Sequence, residues 1–218
     1  MNKRIAKADI VKEHVPVEGG KVHGVTFDGE LVWFARDEEI VGFDPKTETI
    51  ARRIAVPARA GTAFDGENFY QLAGEDIFVV RKSDGRVLRK MPSPGKGTDS
   101  GMAWGDGHLW VGQYHDGKIH KIDPKTGEIV KTLVSDRFVT GVCCVDGAIW
   151  HGVSDTHEGG DKPSELRRLA PDGTVDEVIV FPPGVHVAGV ESDGKDGFWC
   201  GGEAGKLRHV RRGAAIND

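Results

Sequence analysis

His23, Asp99 and His186 stand one to three residues ahead of Gly24, Gly101 and Gly189, and each of those glycines opens a short apolar segment. A histidine exchanges protons near neutral pH, and a carboxyl can orient it, hold a cation or accept a substrate proton. These three residues, with His115, form the candidate catalytic set. Arg36, Arg59, Gln113, Tyr114 and His157 lie near the ends of comparable segments and could hold an anionic or polar substrate group. The competing reading of Arg36 and Arg59 is salt bridging to Asp37 or Glu38. Glu203 and Glu191 could supply oxygen ligands to a hard divalent cation, Mg²⁺ or Ca²⁺. Glu191 is distinguished by its equivalents, Thr26, Ala63, Ala103 and Cys143. A carboxyl at a position otherwise small and apolar needs a partner.

A repeat places these residues. HGVTFDGELVWFA, AGTAFDGENFYQL, SGMAWGDGHLWVG, TGVCCVDGAIWHG and AGVESDGKDGFWC each combine a glycine, an apolar strand, an Asp-Gly turn and a second apolar strand with an aromatic. Their leading glycines are Gly24, Gly61, Gly101, Gly141 and Gly189, spaced by 37, 40, 40 and 48 residues. The clearest unit runs over 99–133. It has apolar runs at 102–104 and 108–111, an alternating run at 118–122, the turn Asp123-Pro124-Lys125-Thr126-Gly127 and a fourth strand over 128–133. Proline presets the first φ of such a turn and glycine accepts positive φ. A period near 40 with four short strands predicts propeller blades, whereas helical repeats would show a 3.6-residue period. Trp33, Tyr70, Trp110, Trp150 and Trp199 recur where a ring can fill the wedge between blades. The expected fold is an all-β, five-bladed β-propeller of four-stranded antiparallel blades over about 22–57, 58–95, 98–135, 138–183 and 186–212, one domain spanning 1–218.

The last copy lacks a fourth strand, and an Ile- and Val-containing segment, 6–16, precedes the first copy. That segment is expected to close the ring as the outer, "velcro" strand of the last blade. If strands A to D run outward from the axis, the A–B and C–D turns share one face. The B–C and blade-to-blade links share the other. The Asp-Gly and DPKTG turns fall on the first face and read as turn chemistry. Most of the candidate residues fall on the second, near the mouth of the channel. The long insertion VSDTHEGGDKPSELRR also falls there, as a lid or as a solvated loop.

Lys+Arg 29 against Asp+Glu 34 gives a net charge of −5 without a basic block, which argues against a nucleic-acid partner. No run of 18 uncharged apolar residues suggests a membrane span, and the opening residues contain no apolar core of a leader. Cys143, Cys144 and Cys200 lack metal-type spacing and read as buried thiols, so a reducing, cytoplasmic location is expected.

The repeated Gly, apolar strand, Asp-Gly, Leu-Trp and Asp-Pro-Lys-Thr-Gly pattern resembles a broad group of small propellers over nearly the whole chain. The group includes the streptogramin B lyases, the SMP-30/gluconolactonase enzymes and the glutamine cyclotransferases. Streptogramin lyases use Mg²⁺, with acids and a His before an inner strand and just after an LWF-like segment. Val22-His23-Gly24 and Leu31-Val32-Trp33-Phe34-Ala35 are similar to that arrangement, with Arg36 where an acid would stand and Lys21 before the His. SMP-30-type lactonases are usually six-bladed and hold Ca²⁺ or Zn²⁺, whereas glutamine cyclotransferases can have five blades. The resemblance implies a small-molecule substrate and a lyase or hydrolase, with a divalent cation as cofactor where the metal-using members are followed. The alternative is a non-catalytic propeller that binds a ligand or protein on the same face.

Overall fold

The structure, a computed structural model, describes residues 3–154 and 162–216. Strand β1 (Arg4–His14) precedes the repeats. The first repeat forms β2 (Val25–Phe27), β3 (Val32–Asp44) and β4 (Thr49–Ala58). The second forms β5 (Thr62–Phe64), β6 (Asn68–Ala73), β7 (Asp76–Arg81) and β8 (Val87–Pro92). The third forms β9 (Asp99–Gly105), β10 (His108–Gln113), β11 (Lys118–Ile122) and β12 (Ile129–Val134). The fourth forms β13 (Phe138–Val145), β14 (Ala148–Ser154), β15 (Glu165–Leu169) and β16 (Val175–Val180). The last forms β17 (Val190–Ser192), β18 (Gly197–Gly201) and β19 (Leu207–Ala215). The fold is all-β, with no helix among the described residues.

Turn chemistry sets the strand ends. Asp106 and Gly107 take φ of 51° and 71°, and Asp146 and Gly147 take 50° and 76°, the left-handed pair that suits a two-residue hairpin. Elsewhere the turn aspartate accepts from the backbone ahead of it. Asp28 Oδ1 takes the N–H groups of Glu30 and Leu31 at 2.9 and 2.7 Å, and Asp123 Oδ1 takes those of Lys125 and Thr126 at 2.7 and 3.1 Å. These aspartates are committed to turns. The repeat aromatics are buried, and three of them meet rings of the next repeat: Trp33 lies 4.8 Å from Phe69, Tyr70 5.6 Å from Trp104 and Trp150 4.9 Å from Phe198.

The first strands of the five repeats close a ring, since β2 neighbours β5, β5 neighbours β9, β9 neighbours β13, β13 neighbours β17 and β17 returns to β2. The leading glycines make that approach possible. A Cβ on Gly24 would lie 2.3 Å from Thr62 N, on Gly61 2.4 Å from Met102 N and on Gly101 2.5 Å from Val142 N. On Gly141 it would lie 2.6 Å from Ala188 O, and on Gly189 2.2 Å from His23 O. Each obstacle is backbone, so no rotamer change relieves it.

Hydrogen bonding departs from five separate four-stranded sheets. β5–β8 and β9–β12 are four-stranded, but β2-β3-β4 is three-stranded and the remaining strands form one eight-stranded sheet. In the first case β3 runs without a break through Asp37, at φ 52°, and pairs with β2 before that point and with β4 after it. Its two halves pack on each other, because a Cβ on Gly42 would lie 2.9 Å from the Trp33 ring. In the second case β1 pairs antiparallel with β19, from Ala6↔Ala215 to His14↔Leu207, and parallel with β16, from Arg4↔Glu177 to Lys7↔Val180. The parallel pairing merges two groups that sequence alone treats as separate.

Two ionisable side chains are folded into this core. Glu191, on β17, accepts the Thr26 hydroxyl at 3.0 Å and the Ser192 N–H at 2.8 Å, and burial pushes its carboxyl up to about 7. His151, on β14, is fully buried with Nε2 3.1 Å from Ser135 Oγ; burial, then the Arg167 charge, push it down to about 3. For Glu191 the unfolded chain loses its proton first, so stability falls as pH rises from 4.5 to about 7. For His151 the unfolded chain gains its proton first, so stability falls as pH drops from 6.5 to about 3.

Two stability measurements follow. Gly101→Ala, which ordinary strand propensity would favour, is expected to lower unfolding free energy by on the order of 3 kcal/mol in denaturant titrations, because the new methyl meets backbone. An unchanged midpoint would contradict the ring contact. Glu191→Gln is expected to gain on the order of 2 kcal/mol over the parent chain between pH 5 and pH 7.5. Parallel pH–stability curves for the two proteins would show that the carboxyl is not held as described.

Candidate functional site

The close approach at each ring glycine brings the residue before it to the axis. Those five residues, His23, Ala60, Ser100, Thr140 and Ala188, all line one cavity of about 530 Å³. Lys21, Arg59, Asp99, Tyr114, His186 and Glu203 also line it, as do Ser154 and Ser164. It lies on the face opposite the Asp-Gly turns. Six expected site residues therefore meet there: His23, Asp99, His186, Arg59, Tyr114 and Glu203.

His23 is flanked along the ring by Ala60 and Ala188, which leaves open space beside the imidazole. Its backbone N–H donates to Ala35 O at 3.1 Å, and its Nε2 lies 3.6 Å from Asp37 Oδ1. Burial, then the Lys21 charge, hold the imidazole below its ordinary 6.5, with Asp37 opposing. A neutral imidazole can take a proton at neutral pH. Asp99, at the start of β9, accepts the Gly95 N–H with both oxygens, at 3.0 and 3.1 Å. Burial lifts its carboxyl above the usual range, so it keeps its proton to higher pH than an exposed aspartate.

The rim is paired. Lys21 Nζ lies 3.1 Å from Glu203 Oε1, and a β-bridge joins the two backbones. Arg59 donates to Glu38 in an exposed ion pair, one of the salt bridges that the competing reading expected of Arg36 and Arg59. His186 is exposed; its carbonyl accepts from Arg208 at 3.5 Å, and its imidazole has no hydrogen-bond partner among the described residues. The Tyr114 ring packs 5.2 Å from Phe138 and 5.1 Å from His115.

Other expected residues go elsewhere. Arg36 donates to Glu18 O at 2.9 Å and does not line the cavity. Gln113 is engaged by Thr98 and His120. His115 lines a second cavity of about 200 Å³ with Asp116, Ser135, Asp136 and Arg137. Glu191 is bonded to Thr26 at the seam between β17 and β2. His157 lies outside the described residues. Glu191 and Glu203, expected as ligands of Mg²⁺ or Ca²⁺, are not brought together, because Thr26 engages one and Lys21 the other. Among the described residues no group of three or more His, Cys, Asp or Glu could hold a metal. The described residues do not by themselves form a site for a divalent cation. Ser100 and Thr140, in contrast, belong to the cavity floor and share His23's place in the repeat. Aligning the repeats on their glycines is the signal that finds them, whereas Ser164 lies in the irregular insertion and carries no such signal.

No family model and no curated protein matches this chain. Among solved structures, the glutaminyl cyclase of Myxococcus xanthus superposes with a TM-score of 0.79 at 17% identity, covering 100% of both chains. The WD40 β-propeller domain of Doa1 gives 0.56 at 16% identity over 87% of this chain and 63% of that one. The β-propeller domain of Cps50 (Swd1) from Myceliophteria thermophila gives 0.56 at 11% identity, over 93% and 99%. At these identities the likeness concerns the backbone, and with the strand ring and its sheets it shows that the chain has the β-propeller fold.

Proposed function

We propose that the chain is a small-molecule enzyme, a lyase or hydrolase, with its active site in the cavity floored by the residues before the ring glycines. The ring would then comprise five blades in one domain, with β1 serving as the velcro strand of the last. The observation that carries the reading is the convergence of His23, Asp99, His186 and Arg59 on a single concave space, while the opposite turns are occupied with their own backbone. The full-length likeness to a glutaminyl cyclase supports a small-molecule enzyme.

In this reading His23, neutral because it is buried, accepts a proton from the substrate or from an attacking group. Asp99, whose carboxyl keeps its proton longer than usual, donates to the group that leaves. Arg59 and Lys21 at the rim exchange their exposed pairs with Glu38 and Glu203 for an anionic or carbonyl group of the substrate, and the Ser100 and Thr140 positions shape the floor. Proton transfer by a placed side chain contributes about 10²- to 10⁴-fold in rate.

A substrate screen of esters, lactones, amides and peptides beginning with glutamine supplies the assay. With any hit, His23→Ala is expected to lower kcat by about 10²-fold or more and to abolish the acid limb of the pH–rate profile. That limb should lie below pH 6.5, since burial lowers the imidazole. If folded His23→Ala and His186→Ala variants both keep full turnover, the assignment fails. Recovery of a stoichiometric protein partner seated on this face, with no turnover of any probe, would favour a binding platform instead.

A further inference from the structure

The loop that carries Asp99 contains two successive left-handed residues, Lys96 at φ 47° and Gly97 at φ 93°. A residue with a side chain holds that conformation where surrounding contacts over-determine it. Those contacts form a chain across the third repeat. Thr132 Oγ1, on β12, lies 2.9 Å from His120 Nδ1, and His120 Nε2, on β11, lies 3.3 Å from Gln113 Oε1. Gln113 Nε2 donates to Thr98 Oγ1 at 2.9 Å, and Thr98 Oγ1 donates to Gly95 O at 2.8 Å. The Gly95 N–H then reaches Asp99.

The direction of this chain is fixed by proton counting. Thr98 has one hydroxyl proton and the Gly95 carbonyl takes it, so Gln113 must turn its NH₂ toward Thr98 and its oxygen toward His120. His120 therefore carries its proton on Nε2 and accepts from the Thr132 hydroxyl at Nδ1. Burial keeps this imidazole below its ordinary range; Asp99 and Asp116 act against that and Lys118 with it. The backbone register agrees, since an irregularity between Val111 and Gln113 sets Gln113 opposite Asp99.

We propose that His120, Gln113 and Thr98 are positioning residues that hold the 95–98 loop and, through the Gly95 N–H, fix the Asp99 carboxyl at the cavity. The inference deepens the reading of that cavity as an active site and rests on it for its functional meaning. None of the three needs to touch substrate. The two residues farther from the cavity act by keeping Thr98 in place, and His120 in addition favours the charged form of Asp99 directly. Gln113, expected as a substrate contact, becomes the link between a strand near the outer edge of the sheet and the acid.

The test is NMR of the whole labelled chain, following amide exchange at Gly95 and the titration of the Asp99 side chain in Thr98→Val, Gln113→Leu and His120→Phe. Each variant is expected to speed Gly95 exchange roughly tenfold, the effect of losing about one hydrogen bond. Each should also move the Asp99 midpoint upward, because the N–H that favours the charged form loosens. His120→Gln, which keeps a donor toward Gln113, should recover part of both effects. Thr98 is exposed, so Thr98→Val carries the test even if a core variant fails to fold. Wild-type exchange and titration in folded Thr98→Val would overturn the proposal. Both readings are independent of turnover. Loss of the cavity's catalytic role, seen as an unaffected kcat in Asp99→Asn, is thus distinguishable from loss of the positioning chain.

Discussion

Five glycines packed backbone to backbone around one axis are the constraint on which the rest of this molecule depends. At each, a methyl group would meet main-chain atoms of the next repeat at 2.2 to 2.6 Å, so the inner strands approach more closely than any side chain allows. That contact gives the ring its radius, and the large aromatics then fill the wedges that widen outward. It also sorts the two faces. Residues before the glycines are drawn to the axis on one side, while the turns on the other are stabilised by their own aspartates.

The cavity is a consequence of the same geometry. Its floor is a single position of the repeat sampled five times, with alanine at two places, hydroxyls at two and an imidazole at one. Alanines on both sides of His23 make room beside it, and burial keeps it neutral. Asp99 stands one residue farther from its glycine, on a loop that must be held because its backbone is left-handed at two successive positions. The acid and base of the proposed chemistry are thus supplied by the irregular members of a regular array.

The repeat, the all-β architecture and the assignment of candidate residues to one face are legible in the sequence, because turn aspartates, glycines and aromatics recur in register. The convergence of His23, Asp99 and His186 follows from counting back from Gly24, Gly101 and Gly189. The parallel pairing of β1 with β16 is not legible, since a strand's partner at an open edge depends on which edge lies beside it. Nor is Gln113's role, because an amide at a strand end looks the same whether it faces a ligand or, as here, Thr98 and His120. Glu191 reads correctly as an acid in need of a partner, and the partner is Thr26. That partner is a hydroxyl across the seam between β17 and β2, 3.0 Å away.

The most direct measurement of the central claim is an experimental structure with a turned-over substrate or its inert analogue bound. The ligand is expected on the floor formed by His23, Ser100 and Thr140. Its reacting atoms should lie within hydrogen-bond reach, about 2.6–3.2 Å, of the His23 imidazole and the Asp99 carboxyl. A ligand bound on the face of the Asp-Gly turns, or out of reach of both side chains, would contradict it.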